Sequence, residues 1–228
     1  MVKKKSIRKK LKQPDEFITF TGKMIEWGQK NLRQIGVVAI VLVGLLLAGV
    51  GYRYYNNQKE MQGFTRLNQA RVKYATEVKK ADTPEKVYEA VQADYQDIIN
   101  DYPGKGAGRI ARKKLADICF DAKKYDEAIE LYKQSLVDFK KDPFYRAIIL
   151  DDLASACEAN KNDEAAERYF KMILASPDAP AKDEAMFHLA GLYEKQGKTD
   201  SARELYEKIN SEYAESIYIN IIREKIAG

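Results

Sequence analysis

The chain has 228 residues, 39 of them Lys or Arg and 34 Asp or Glu, for a formal net charge of +5. One His and two Cys exclude a zinc site built on a His pair and leave little for a catalytic triad. A basic balance suits nucleic acid or an anionic membrane surface, and where the charge sits decides between them.

Ten basic residues open the chain: Lys3, Lys4, Lys5, Arg8, Lys9, Lys10, Lys12, Lys23, Lys30 and Arg33. Only Asp15, Glu16 and Glu26 oppose them before residue 35, a net of +7, and the 29 basic and 31 acidic residues that remain give −2. Phe17, Phe20, Met24, Trp27 and Leu32 recur at steps of three to five after Pro14-Asp15-Glu16, a pattern that predicts an amphipathic helix. Such a helix lies on the cytoplasmic lipid surface or docks on a membrane partner, and the local sequence leaves both open.

Ile35 to Val50 (IGVVAIVLVGLLLAGV) carries no charged side chain, and the uncharged stretch extends from Gln34 to Tyr52, 19 residues. A hydrocarbon core of roughly 30 Å needs about 20 helical residues, so this stretch with basic snorkelling at its ends spans a membrane. Cytoplasmic flanks carry the excess of Lys and Arg, which puts the N-terminus in the cytoplasm and the body outside it. Arg53 and Lys59 argue the other way but are fewer. The whole positive balance is therefore a juxtamembrane cluster drawn to anionic lipid, and nucleic acid is set aside. A cleaved signal fits poorly: 34 residues precede the run, Tyr52, Arg53, Tyr54 and Tyr55 follow it, and no Cys ends it. Ala48-Gly49-Val50 is the one sequence a peptidase could use.

The 176 residues from Arg53 to Gly228 suffice for one domain with a core. Apolar residues recur at three- and four-residue steps with no alternating run, so the body is all helix. Leu115-Ala116, Leu153-Ala154 and Leu189-Ala190 align at spacings of 38 and 36 residues. Cys119, Cys157 and Tyr193 follow each Leu by four, Ala128, Ala166 and Ala202 by thirteen, and Tyr132, Phe170 and Tyr206 by seventeen. This resembles the tetratricopeptide repeat, in which small residues admit close helix approach and the aromatics fill the gap. Lys123-Lys124-Tyr125-Asp126-Glu127, Lys161-Asn162-Asp163-Glu164 and Gly197-Lys198-Thr199-Asp200 punctuate the units, with Asp or Thr-Asp expected at the N-cap of each second helix. A degenerate unit precedes them, carried by Val91, Tyr95, Ile98 and Pro103, with a poorly matching first half near Ala75 to Asp82. Ser216 to Ile226 is expected to cover the open end.

The expected fold class is thus all-α, a single N-terminal transmembrane helix followed by a tetratricopeptide-like helical repeat solenoid. Residues 1–34 form the basic tail with its amphipathic helix, 35–52 the span and 53–228 the repeat domain. Repeats fall near 62–103, 109–141, 147–178 and 183–214, with a capping helix at 216–227. Arg112 stands where the repeat usually has Trp, the spacings exceed the usual 34, and the terminal Pro survives loosely at Pro177.

A basic tail, an amphipathic helix, one span leaving through Gly51-Tyr52-Arg53-Tyr54-Tyr55 toward Gln58, and divergent repeats together resemble the YfgM family. The resemblance implies a bacterial inner-membrane protein, single-pass, with its repeats in the periplasm. There it would be an ancillary subunit of the Sec translocon linking it to periplasmic chaperones, anchored in inner-membrane lipid through residues 17–52. Repeat modules of the Tol-Pal and outer-membrane assembly systems share a Tyr-Pro-Gly like Tyr102-Pro103-Gly104, but those relatives are usually secreted or lipid-anchored. An envelope scaffold for cell-wall or outer-membrane machinery is the alternative.

No enzyme, cofactor, metal or small-molecule substrate is indicated. His188, between Phe187 and Leu189, reads as an ordinary helix residue. Cys119 and Cys157 occupy equivalent repeat positions, where helices about 8–10 Å apart exceed the roughly 4.4–6.8 Å that a disulfide needs. Buried free thiols are expected, although an oxidising periplasm would favour a bond if geometry allowed one. Gly104-Lys105-Gly106-Ala107-Gly108 lacks the phosphate-loop arrangement and reads as a flexible interhelical loop. Asp151-Asp152 reads as a solvated helix face.

Function then lies in surfaces. By resemblance the groove is lined from the first helix of each unit: Lys113, Asp117 and Phe120; Asp151, Ser155 and Glu158; Phe187, Gly191 and Glu194. Steps of three and four put each trio on one stripe. The carboxylate clamp of some relatives needs Lys followed by Asn, whereas Asp117 follows Lys113, so a C-terminal carboxylate is not the ligand. Acids beside two exposed Phe would suit a basic or amphipathic segment.

Overall fold

The computed structural model describes residues 16–227, and from residue 20 on it describes side chains as well. The Lys3 to Lys12 cluster and the Phe17 side chain lie outside the described residues. The chain divides into two compact units, one ending at Gln58 and one beginning at Lys59.

In the first unit, α1 (Glu16–Lys30) is a separate helix. Asn31 ends it: its N–H donates to the Trp27 and Gly28 carbonyls at 3.1 and 3.2 Å, and its side-chain amide donates to Trp27 O at 2.8 Å. A side chain that bonds the local backbone competes with the helical ladder, so α1 stops here and α2 (Leu32–Lys80) starts afresh. Phe20, Met24 and Trp27 of α1 are exposed, as are the large apolar residues between Ile35 and Val50. No part of the most apolar window of α2 is buried. Its length and composition are those of a membrane span.

In the second unit every regular element among the described residues is a helix. After the last part of α2 come α3 (Pro84–Asp101), α4 (Gly106–Asp121), α5 (Tyr125–Asp138), α6 (Pro143–Ala159), α7 (Asp163–Leu174), α8 (Lys182–Lys195), α9 (Thr199–Glu212) and α10 (Ile219–Ala227). Each packs against the next from α3 onward, so the chain winds as antiparallel hairpins. Small residues set the spacing: Ala116, Ala154 and Ala190 on the first helices and Ala128, Ala166 and Ala202 on the second are at most 1% exposed. Tyr132, Phe170 and Tyr206 fill the volume beside them and are buried too.

The first hairpin is built from the end of α2. Gly63, Leu67 and Ala70 are its buried stripe. Lys73 pairs with Asp94 at 2.6 Å, and Arg66 pairs with Asp101. The glycine run 104–108 is not a flexible loop. Only Gly104, at φ +72°, turns the chain, whereas Gly106 and Gly108 belong to α4. A Cβ on Gly108 would lie 2.2 Å from the Tyr102 carbonyl oxygen, and one on Gly63 would lie 2.9 Å from Ala107 Cβ. These glycines serve close helix approach. Glu60 accepts from the Gly106 N–H at 2.8 Å, a carboxylate at a helix N-terminus.

Three first helices end alike. Lys123, Lys161 and Gly197 adopt left-handed φ of 58°, 61° and 72°, at the repeat spacings of 38 and 36 residues. The next N–H in each case bonds five residues back, Lys124 to Cys119, Asn162 to Cys157 and Lys198 to Tyr193, at 2.8, 2.8 and 2.9 Å. This left-handed closure leaves Lys124, Asn162 and Lys198 as the N-caps of the second helices, and of these only Asn162 caps with its side chain. The expectation that Asp or Thr-Asp caps them is corrected. Asp126, Asp163 and Asp200 sit in the first turn, where their charge meets the helix dipole. Cys119 and Cys157 are buried free thiols.

Lys161→Gly is expected to raise stability by up to about 1 kcal/mol, because left-handed φ costs an L-residue about 1–2 kcal/mol. Gly197→Ala should lose about 1 kcal/mol, and Lys161→Ala should change little. Urea unfolding of the three variants checks the register, and equal shifts would contradict it. Ala166→Phe, which forces two packed helices apart, should cost roughly 1–3 kcal/mol in the same assay.

Candidate partner-binding groove

The first helices of successive hairpins, α4, α6 and α8, contribute the nine groove residues, and all nine are half-buried. Lys113 of α4 is the most constrained. Its Nζ lies 2.9 Å from Asp117 on the same helix and 2.8 Å from Asp152 on α6, and 5.9 Å from the Tyr132 ring centroid of α5. Tyr132 donates its hydroxyl to Asp117 at 2.8 Å. One ammonium thereby ties three helices together. Burial pulls the Lys113 pKa down, but Asp117 and Asp152 outweigh it, so the group is held above its ordinary value. Burial likewise raises Asp152, against the pull of Lys113.

The other acids divide into compensated and uncompensated. Glu158 of α6 receives Lys195 of α8, and Glu194 receives Lys225 of α10 at 2.6 Å. Asp151 and Glu184 have no Lys or Arg ion-pair partner among the described residues. Burial pushes the Asp151 carboxyl up to about 6; nearby His188 opposes the rise, and Glu184 and Asp152 add to it. Asp151-Asp152 is therefore a half-buried pair on the groove side and not a solvated face.

Beside these acids a cleft of about 390 Å³ opens between α6 and α8, lined by Phe144, Ala147, Ile148, Asp151, Asp152 and Glu184 among others. Its apolar walls and acidic edge match a side chain with an aliphatic stem and a cationic head.

The two Phe differ from expectation. Phe120 packs on the core and tilts against Tyr125 with ring centroids 5.7 Å apart. Phe187 packs on the core too and stacks on Tyr218 at 4.3 Å and 11°. Neither is free apolar surface: the first residue of α5, Tyr125, covers one, and the segment entering α10 covers the other. Ser155 is half-buried, and Gly191 has open space, since a Cβ there would meet nothing within 4 Å. Arg112, in the usual Trp place, makes a half-buried ion pair with Asp138 and so links α4 to the end of α5.

Sequence reasoning puts Asp152 on a solvated face and misses Glu184, Lys195, Tyr218 and Lys225. Glu184 was within reach, since it lies three residues before Phe187 on the same stripe of α8. Tyr218 and Lys225 follow from no repeat position, because α10 is a cap.

Two tetratricopeptide-repeat family models match the chain, over residues 107–176 and 184–216. No curated protein matches it by sequence. Among solved structures it is similar to MamA, with a TM-score of 0.51 and 22% identity, covering 67% of this chain and 80% of that one. It is also similar to a tetratricopeptide repeat protein from Parabacteroides merdae, with a TM-score of 0.56 and 18% identity over 71% of this chain and 59% of that one. BtubC from P. vanneervenii gives a TM-score of 0.51 and 14% identity over 70% and 74%. At these identities the likeness establishes the fold. The body carries tetratricopeptide repeats, an architecture that implies a protein-protein interaction scaffold.

Lys113→Met should destabilise the body by about 1–3 kcal/mol, because it leaves Asp117 and Asp152 half-buried and uncompensated. Lys225→Met removes a more exposed pair and should cost under about 1 kcal/mol. Chemical denaturation of both checks this, and equal effects would contradict the role given to Lys113.

Proposed function

We propose that this is a membrane-anchored scaffold of the bacterial inner membrane, with its N-terminus in the cytoplasm and its repeat groove outside, where it works beside the Sec translocon and periplasmic chaperones. The anchor reading is supported by the exposed apolar segment of α2, and the orientation by the charge difference of +7 before the span against −2 after it. The observation that carries the binding reading is the cleft of about 390 Å³ edged by Asp151, Asp152 and Glu184. It supports a partner segment that offers Lys or Arg beside apolar residues. Of the nine groove residues Asp151 lines that cleft, and Lys113, Lys195 and Lys225 hold the neighbouring helices by ion pairs. Membrane lipid is the natural contact of residues 17–52, since Phe20, Met24 and Trp27 are exposed next to the span. The translocon assignment rests on the layout of tail, amphipathic helix, span and divergent repeats.

A reporter fused after Gly228 should be active only outside the cytoplasm, and labelling of the C-terminus solely from the cytoplasmic side would overturn the topology. Asp151→Lys with Glu184→Lys should reverse the charge of the cleft and reduce co-purification of translocon or chaperone subunits in mild detergent at least several-fold. A chain truncated after Asn57 should keep the translocon if α1 and the span dock it. Retention of all partners by the charge-reversed protein would contradict the groove reading, and loss of the translocon on truncation would favour a scaffold whose span is only a tether.

A further inference from the structure

Asp151 of α6 and Glu184 and His188 of α8 bring a metal-type donor set to one point. A carboxylate oxygen from each acid and an imidazole nitrogen all lie within 4.8 Å of one another. Glu184 and His188 are four residues apart, so one helical turn presents both on the same face, and Asp151 approaches from the neighbouring helix. His188 Nε2 lies 4.0 Å from Glu184 Oε1.

The surroundings hold these groups in place. The His188 ring stacks on Phe170 at 5.9 Å and 15° and meets the Phe187 ring edge-on at 5.9 Å. Glu184 accepts the Tyr218 hydroxyl at 3.0 Å, the kind of outer contact that orients a ligating carboxylate. Asp151 Oδ1 is sealed from solvent and accepts no hydrogen bond. A buried acceptor without a donor carries a cost that a cation would remove.

We propose that Asp151, Glu184 and His188 bind one divalent transition-metal ion of the zinc class, leaving a fourth position for water or a group of a bound partner. One imidazole with two carboxylates suits zinc, cobalt or nickel, whereas magnesium and calcium take oxygen donors. Around tetrahedral zinc, donor atoms sit about 3.4 Å apart, so the three must close by roughly 1 Å. The His188 and Glu184 side chains are 37% and 42% exposed and have room to do so. The ion would bridge α6 and α8 and fix the angle between adjacent repeats. At these carboxylates it is an alternative to a partner's basic side chain, but the metal site stands without that partner reading.

His188 is the only His in the chain, so a single imidazole reports on the site. The full chain, purified in detergent without a histidine tag, is titrated with Zn2+ against a chromophoric chelator, and the imidazole nitrogens are followed by NMR. One equivalent should bind, shift the His188 resonances and raise the melting temperature. His188→Gln and Asp151→Asn should each weaken Zn2+ binding at least tenfold while melting as cooperatively as the parent protein without metal, and Tyr218→Phe should weaken it several-fold. Imidazole resonances unmoved at saturating Zn2+ would overturn the proposal, as would undiminished affinity in His188→Gln. So would a loss of affinity confined to Cys119→Ser or Cys157→Ser, which would place the ion on a thiol.

Discussion

Close approach of neighbouring helices at alanine is the constraint from which the rest of the body follows. A single helix pair of this size cannot bury its apolar face alone, so successive pairs must stack. Stacking at helix-to-helix distances of about 8–10 Å requires small side chains at the crossing points. Ala116, Ala128, Ala154, Ala166, Ala190 and Ala202 meet that requirement, and Gly63 of α2 against Ala107 of α4 takes the same part where the first hairpin meets the second. Once the crossings are fixed, Tyr132, Phe170 and Tyr206 have one place to go, and α4, α6 and α8 come to lie side by side. The groove is a by-product of that order.

Its electrostatics are set by the same geometry. Side chains on adjacent first helices lie close enough to pair, as Lys113 with Asp152 and Lys195 with Glu158 do, and Lys225 of the cap α10 reaches Glu194 of α8 in the same way. These pairs spend most of the groove's acids on internal cohesion. What is left over, Asp151 and Glu184 beside a cleft with apolar walls, is negative, half-buried and held by rigid helices rather than loops. A cationic ligand gains most at such a place, because neighbouring water is restricted and the carboxylates do not have to be ordered on binding.

Much of this was legible in the sequence, and for identifiable reasons. Nineteen uncharged residues between Arg33 and Arg53 announce a span because the hydrocarbon core sets its length. Leu-Ala pairs at spacings of 38 and 36 announce the repeats because close packing tolerates few residue types at a crossing. The failures are equally specific. The glycine run at 104–108 reads locally as a loop, since nothing nearby says that Tyr102 and Gly63 will press on it. The caps were misplaced by one or two residues because the left-handed residue at 123, 161 and 197 shortens each turn. Phe120 and Phe187 read as surface because the alignment gives no contact between one helix and the start of the next, where Tyr125 covers Phe120, and does not describe the end cap, whose Tyr218 covers Phe187. His188 was read from its sequence neighbours alone, whereas its partners lie on α6 and on the cap.

The central claim is that the face formed by α4, α6 and α8 is where a partner sits. A photo-crosslinking residue at Gly191 tests it most directly, since added bulk there meets nothing within 4 Å, with Glu204 on the exposed side of α9 as the control position. The account predicts ultraviolet-dependent adducts to a translocon or chaperone subunit from position 191 in living cells and none from position 204. Adducts formed from 204 alone would contradict it.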